Sequence, residues 1–414
     1  MEKKIITDFE NTYKNTPLNN DVKLRKEFLN KFIKKGFPSK KLESWKFSDL
    51  NQIINKNIEN LIFYNDKIKS YKIDESIYLE NLEHNKLVFI NGALEEIKLD
   101  YEDNNKIKIL KETKIENNGF QDNALINLNN AFTIYNYKIY VENNYYVKKP
   151  LIIYHVTNSE LNSTNINIQL NFSLGENSFL KVVDVFNDIS NKNFINIYYN
   201  FDLKKDSVLK NFKLDNLINN NIKYSFNNIN QDVNSVSETF ILSSGSKFIK
   251  NEINCNLKGK YSSAFVNGVF SLNENKHHEI KTNINHLEEN TKSYQLIKSV
   301  LDNSSKAAYQ GKIYVDKDAQ KTDGYQLSKA VLLNEDSEFN AKPELEIYAD
   351  DVKCSHGSAS GSLNEDSIFY LRSRGLSYKE AKDLLIKGFL LDVIEKITDE
   401  EIKNIIKFKM GLSR

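Results

Sequence analysis

Ile166-Asn167-Ile168-Gln169-Leu170-Asn171-Phe172-Ser173-Leu174 puts an apolar side chain at every second position and stops at Gly175. Strand side chains alternate between faces, so the five apolar residues share one side of a half-buried β-strand. Ile195, Ile197, Tyr199, Phe201 and Leu203 repeat the pattern ahead of Lys204-Lys205-Asp206-Ser207. Of the four prolines, Pro17 and Pro38 lie near the start, while Pro150 and Pro343 bracket a long middle with none. Proline cannot donate to a ladder, so that middle can be continuous sheet. Polar turn-like clusters recur at Asn303-Ser304-Ser305, Gln320-Lys321-Thr322, Glu335-Asp336-Ser337 and Lys353-Cys354-Ser355, at intervals of 17, 15 and 18 residues between their central positions. Regular short strands joined by regular corners suggest a solenoid in which each coil stacks on the last. The competing architecture is a β-sandwich, which needs hairpins, and Asn-Gly turn signals occur at Asn91-Gly92, Asn118-Gly119 and Asn267-Gly268. The regular spacing favours an all-β core, a parallel β-helix over residues 81–363.

Both ends read as helical, over 1–80 and 364–414. Val22, Leu24, Phe28, Leu29, Phe32 and Ile33 follow helical spacing, and Gly36 and Pro38 stop the run. Asn364 to Arg374 forms a second helical segment ending at Gly375. Ser377-Tyr378-Lys379-Glu380 is a capping box opening a helix through Lys396, and Thr398-Asp399-Glu400-Glu401 repeats the signal before a short amphipathic third helix. Three successive helices outside a sheet offer a docking surface, or else they cap the solenoid.

Lys+Arg 57 against Asp+Glu 56 gives a net charge of +1, which supplies no field for nucleic acid or an anionic membrane surface. Two cysteines, Cys255 and Cys354, make no disulfide framework, and a reducing compartment follows. Met1 to Asp8 lacks the apolar core of a signal peptide and no apolar run reaches a membrane span. The expectation is a soluble, cytoplasmic protein without membrane or nucleic-acid partners. The heavy use of Asn, Lys and Ile reads as nucleotide bias in the coding sequence.

Familiar catalytic signatures are missing. Gly259-Lys260 and Gly311-Lys312 lack the preceding glycine and the following Ser or Thr of a P-loop, and there is no G-x-S-x-G or H-E-x-x-H. No nucleotide is expected on this chain. His277-His278-Glu279 with His286 reads as a solvated turn rather than a metal cluster, because adjacent strand residues point to opposite faces. Glu344 and Glu346 share a face near Asp350 and Asp351, which supports an alternative enzyme reading as a β-helix polysaccharide lyase or glycosidase. Cys255 sits between Ile253 and Leu257 on an apolar face and is expected to be a packing residue.

The richest stretch for chemistry is Lys342-Pro343-Glu344-Leu345-Glu346-Ile347-Tyr348-Ala349-Asp350-Asp351-Val352-Lys353-Cys354-Ser355-His356-Gly357. If it is extended, Cys354 and His356 face the same side with Cβ atoms about 7 Å apart, close enough to converge on one ion. Two donors do not complete a zinc or iron–sulfur site, so further ligands must come from elsewhere or from another chain.

Lys342 to Gly357, followed by Leu363 to Gly375, resembles the SufD family of iron–sulfur cluster assembly proteins. So do Tyr309-Gln310-Gly311-Lys312-Ile313-Tyr314-Val315, Lys321-Thr322-Asp323-Gly324-Tyr325-Gln326, Leu87 to Gly92, and the Trp-centred Lys41 to Leu50, where Phe47 and Ser48 replace the usual Tyr and Thr. Residues 155–280 match only in strand pattern. The resemblance implies a right-handed parallel β-helix between helical ends, a non-catalytic scaffold role, pairing with the paralogue SufB through the β-helix, and binding of the ABC-type ATPase SufC through helices at 364–396. SufB-like sequences carry His-Glu where this chain has His356-Gly357, and a Cys-x-Arg-x-Arg-Gly segment where it has Leu371-Arg372-Ser373-Arg374-Gly375, so the resemblance is to SufD. Cys354 and His356 are then expected to meet iron or a nascent cluster shared with the partner, and a homodimer is expected for the isolated chain. A purely architectural role, with no ligand from this chain, is the second expectation.

Overall fold

The computed structural model describes residues 2–14, 21–64, 77–80, 82–103, 105–115, 119–158, 161–188 and 192–412; Pro17 and Asn118 lie outside the described residues. Its strands alternate between two sheets. The ten-stranded sheet runs through Lys353–Gly361, Asp323–Leu332, Lys292–Leu301, Ser263–Leu272, Val236–Ser243, Val208–Asp215, Phe179–Asp188, Leu151–Thr157, Asn85–Ile90 and Ala93–Lys98. The nine-stranded sheet runs through Glu338–Ile347, Lys306–Val315, His277–His286, Phe248–Leu257, Ile222–Gln231, Phe194–Leu203, Asn165–Leu174, Asn136–Val141 and Ile107–Glu112. From Asn136–Val141 onward each strand pairs in parallel with the strand two places along the chain, so one coil is two strands and two corners, as a parallel β-helix requires. Ser263, Lys292, Asp323 and Lys353 stand opposite one another in register. The expected interval of 15 to 18 residues is therefore half a coil. Three of the four marker clusters are corners; the fourth, Lys353-Cys354-Ser355, opens a strand instead.

One of the three Asn-Gly signals does make a hairpin. Asn91 and Gly92, both at positive φ, join Asn85–Ile90 to an antiparallel Ala93–Lys98 at the N-terminal end of the stack. Asn267-Gly268 lies inside a strand.

Inner-face side chains of both sheets, among them Leu170, Phe172, Tyr199, Ile253, Ile284 and Ile297, form one continuous core. Asparagine has structural work that a bias reading missed. On the outer face of the nine-stranded sheet, Asn228, Asn254 and Asn283 each donate an amide N–H to the residue one coil earlier, at 2.7, 2.9 and 2.9 Å. A second column, Asn230, Asn256 and Asn285 above Asp202, does the same at 2.8, 3.0 and 2.8 Å. Asn177, Asn234, Asn290 and Asn303 also take positive φ at corners, which asparagine tolerates better than most residues.

Corners stack as tightly as strands. A Cβ on Gly259 would stand 2.0 Å from Val233 N and 2.3 Å from Asp232 C, in the corner one coil earlier. Backbone cannot rotate out of the way, so Gly259→Ala is expected to cost about 2–3 kcal/mol, at the upper end for overpacking. Urea unfolding at neutral pH measures it; a midpoint equal to wild type would show that the corners can part.

Seven helices are described: α1 (Glu2–Tyr13), α2 (Asp21–Lys35), α3 (Leu50–Asn57), α4 (Ala124–Phe132), α5 (Glu365–Ser373), α6 (Tyr378–Ile394) and α7 (Glu400–Lys409). None is long and apolar enough to cross a membrane. α4 falls inside the stretch expected to be strand core. It is buried along its whole length and packs with α1 and α2 over the outer face of the nine-stranded sheet. The outer residues of Phe194–Leu203, such as Asn196 and Tyr198, are therefore buried too, and the strand is not half-buried as its alternation suggested. Trp45 completes this layer: it is 3 % exposed, and Lys250 lies 4.5 Å over its ring and donates to Ser44 O at 2.8 Å.

α6 and α7 cover the opposite sheet. Leu390, Val393, Ile394, Ile402 and Ile406 are buried against Phe212, Phe240, Val269 and Leu296, each such side chain worth roughly 1.5–3 kcal/mol. Lys298 reaches Phe389 O at 2.8 Å and Asp392 at 2.6 Å, and Lys181 pairs with Asp399. The Ser377–Glu380 capping box is present. At the third helix the cap is Asp399, which accepts from Ile402 N at 3.0 Å, rather than Thr398, whose hydroxyl faces Glu238.

Candidate functional site

The stack ends at Glu338–Ile347 and Lys353–Gly361, and each of these strands has one neighbour in its sheet and one open edge. Pro343 fits there and nowhere further in, since an edge strand has N–H positions that no neighbour needs. Cys354 and His356 do share a face. Cys354 stands in register with Gly324 and His356 with Gln326, on the side turned between the sheets. Cys354 is half-buried against Ile313, Val315, Ala319 and Ala349, whereas His356 is exposed. Burial pushes the Cys354 thiol up, nearby Asp323 adds to the shift, and the Gly324 N–H opposes it. A metal would have to displace that proton.

The floor beneath this pair is polar and built from the motif segments. The Tyr309 hydroxyl lies 3.0 Å from Gln295 Oε1 and 3.3 Å from Gln326 Oε1, and Gln326 Nε2 donates to Glu344 O at 3.2 Å. A Cβ on Gly311 would stand 2.1 Å from Gln326 Oε1 and 2.4 Å from the Tyr309 hydroxyl, so only glycine leaves room for the node. Sequence reasoning quoted these segments without giving Tyr309, Gly311, Gly324 or Gln326 a role. Their spacing by two, which sets them on the inner face, was the available signal.

Among the described residues no three His, Cys, Asp or Glu side chains are grouped to hold a metal ion. Cys354 and His356 are two donors on an open edge, short of a complete set. The other candidates fall apart in space. His277-His278-Glu279 and His286 do not form the solvated turn expected but lie on one strand, where His277 faces outward 3.0 Å from Glu279 while His278 and His286 point into the core. Cys255 is buried, its thiol pushed up to about 12 by burial, with Sγ 3.0 Å from Gln231 Oε1; it packs, as expected. Glu344 and Glu346 point away from the inter-sheet space. Glu344 pairs with Lys342 at 3.0 Å, and Glu346 with Lys312 and with the Tyr348 hydroxyl at 2.9 Å. The lyase or glycosidase alternative thus loses its pair of free carboxylates facing one groove.

Beyond the open edge, α5 and the start of α6 turn apolar surface to solvent: Phe369 is 74 % exposed, Tyr370 56 %, Tyr378 51 % and Leu384 49 %. Large apolar groups gathered this way mark contact surfaces more often than single exposed residues do.

The family profile described as "SUF system FeS cluster assembly, SufBD core domain" matches residues 155–389. It covers the strands at 155–280, where only the strand pattern resembled the family. The iron–sulfur cluster assembly protein SufD of Escherichia coli is 27 % identical over 270 residues, 64 % of this chain and 63 % of that protein. A SufBD family protein of Synechocystis is 41 % identical over 103 residues, 25 % of this chain and 23 % of that one. SufB of Bacillus subtilis is 25 % identical over 169 residues, 40 % and 36 % respectively. The chain thus spans less than two thirds of the length of these relatives.

Proposed function

The chain belongs to the SufBD family of the SUF system of iron–sulfur cluster assembly, and from that membership we propose that it is a SufD-type, non-catalytic scaffold subunit. Its open end pairs with a SufB-type β-helix, and iron or a nascent cluster, the cargo of the assembly, is held at the seam. One observation carries the reading: an exposed imidazole and a half-buried thiol share the inner face of an unpaired edge strand and lack the ligands that would complete a site. Unpaired N–H and C=O groups are a template for another chain's strand, so the partner supplies strand and missing ligands together. The nucleotide chemistry that the sequence lacks comes from an ABC-type ATPase of the SufC type, docked on α5 and α6.

His356→Ala should lower the iron and sulfide bound by the purified complex at least roughly tenfold, as loss of a metal contact does, while subunit pairing stays intact. Unchanged iron and sulfide would leave this chain a purely architectural role. Truncation before Asn364 would uncover the apolar sheet face beneath α6 and α7, so point changes test ATPase docking better. Phe369→Asp with Leu384→Asp should abolish capture of the ATPase without unfolding the chain; retained capture contradicts the docking surface.

A further inference from the structure

Away from the seam, a cavity of about 630 Å³ opens where the Lys40 to Asp49 loop and α3 lean over the corners leading into Phe248–Leu257, His277–His286 and Lys306–Val315. Lys40, Lys56, Lys247, Lys276 and Lys306 line it. Only two carboxylates do so, and both are engaged. Asp49 caps α3 by accepting from Gln52 N at 2.9 Å, and Glu338 is held by Lys306 and Asn340. Among the described residues no ion pair involves Lys40, Lys56, Lys247 or Lys276.

That imbalance breaks the rule of the sheet it sits on. Along the same outer face, neighbouring coils match opposite charges: Lys250 with Glu279, Glu252 with Lys281, Lys306 with Glu338, Lys312 with Glu346. At the cavity, Lys247 and Lys276 occupy equivalent corner positions, since His277 N donates to Lys247 O and Lys306 N to Lys276 O. Their backbones are therefore about 4.8 Å apart, the spacing of paired strands, and like charges set directly opposite destabilise a sheet. Lys276 is 5 % exposed, with its ammonium on Ser244 O at 3.1 Å and Asn273 Oδ1 at 3.0 Å. The cavity is also lined by Ser48, 2 % exposed, whose hydroxyl has no partner, and by the apolar surfaces of Phe47 and Ile53. α3 does not offer a free helix N-terminus, because Asp49 fills it, so the site is made by side chains.

We propose that this cavity binds a small phosphorylated molecule carrying at least two negative oxyanion charges. The unpaired lysines meet the phosphate oxygens, the Ser48 hydroxyl gains its missing partner, and the Phe47–Ile53 side takes the less polar part of the ligand. Charge-assisted hydrogen bonds of this type are the strong ones, and a bound polyanion adds counter-charge on the cavity side of the Lys247–Lys276 stack, beyond what the nearby Glu274 and Asp215 carboxylates give Lys276.

Calorimetric titration of the full chain with inorganic pyrophosphate at low ionic strength tests the proposal. Saturable one-to-one binding is expected, weakened roughly tenfold by Lys56→Ala and again by Lys247→Ala, since each removes one charged contact of about 1.5 kcal/mol or more. Pyrophosphate should raise the melting temperature of the wild type and leave that of the double variant unmoved. Lys23→Ala, an exposed lysine on α2, should bind as the wild type does. Absence of saturable binding to the wild type, or equal weakening by Lys23→Ala, overturns the site. Lys56 is exposed and unpaired, so its variant keeps the fold and reads the site directly.

Discussion

Lowering the pH from 7 to 4 is expected to remove a large part of the stability of the solenoid, and two core histidines are the main reason. His278 and His286 have their imidazoles pushed down from the usual 6.5 to about 3, in both cases first of all by burial. Each is bonded as a neutral ring. His278 Nε2 lies 2.7 Å from Ser246 O, which can only accept, so the other nitrogen accepts from Ser243 Oγ at 2.8 Å. His286 Nδ1 lies 2.7 Å from Thr291 Oγ1, whose own proton goes to Glu288 O, and Ser293 Oγ is 2.9 Å from the second nitrogen. The sign follows from linkage. Between about pH 6.5 and 3 the unfolded chain binds a proton at each site that the folded chain refuses, so stability is full above that window and falls as pH drops through it. Each pH unit across the window is worth about 1.4 kcal/mol per histidine, so roughly 3–5 kcal/mol per site is at stake. Asp184 and Glu279, held at about 2 by lysine and histidine neighbours that outweigh their burial, add to the loss at the acidic end. Urea midpoints at pH 7, 5.5 and 4 should fall steadily, and His278→Gln with His286→Gln should flatten the slope. A wild-type midpoint constant down to pH 4.5 would contradict the account.

The second large effect is expected from Asp184→Ala. Asp184 is fully buried between the sheets, accepts from Lys213 Nζ at 2.8 Å and from the Tyr199 hydroxyl at 2.5 Å, and lies 3.0 Å from His155 Nε2. Lys213 also sits 4.2 Å over the Tyr199 ring. Burial pushes the Lys213 ammonium down, and Asp184 offsets only part of that shift. Removing one partner of a buried pair leaves the other uncompensated, which costs roughly 3–5 kcal/mol. Adding Lys213→Met should restore part of the loss, because a buried pair replaced as a whole by apolar groups is often near neutral. Tyr199 and His155 lose the Asp184 oxygen and keep only each other, His155 Nε2 lying 3.0 Å from the Tyr199 hydroxyl, so recovery should be incomplete. Thermal and urea unfolding of the single and double variants measure this. A single variant within about 1 kcal/mol of wild type would mean that the cluster is hydrated or rearranges.

Much of this architecture could be read in advance because the strands in the middle of the stack bury at least one face. Ile166 to Leu174 and Ile195 to Leu203 could be placed on inner faces from alternation alone, and the Ser377–Glu380 box and Gly36 marked helix ends. Coil length was not legible because both corners of a coil look alike in sequence, so the half-coil repeat is the visible one. α4 was hidden because Asn127, Asn129 and Asn130 make it look polar, and nothing local reveals that Asn129 will donate to Ile168 O and Asn196 O across a buried contact. At the open edge, the shared face of Cys354 and His356 followed from their spacing. The node of Tyr309, Gly311 and Gln326 did not, since it joins residues from adjacent coils of two sheets. The lysine-lined cavity was invisible for the same reason: Lys56, Lys247 and Lys276 are far apart in the chain.

The asparagine columns on the outer face carry a liability of their own. Asn228 and Asn254 in one column, and Asn230 and Asn256 in the other, each give one bond toward the earlier coil and take one from the next. Spontaneous deamidation at Asn254 or Asn256 would replace an N–H donor with a carboxylate oxygen aimed at the acceptor one coil below. The lesion leaves every apolar contact intact and adds a single unit of negative charge, yet it sets two acceptors against each other in the middle of a directional stack. Chemical ageing of this protein would thus register as loosening of neighbouring coils rather than as collapse of its interior.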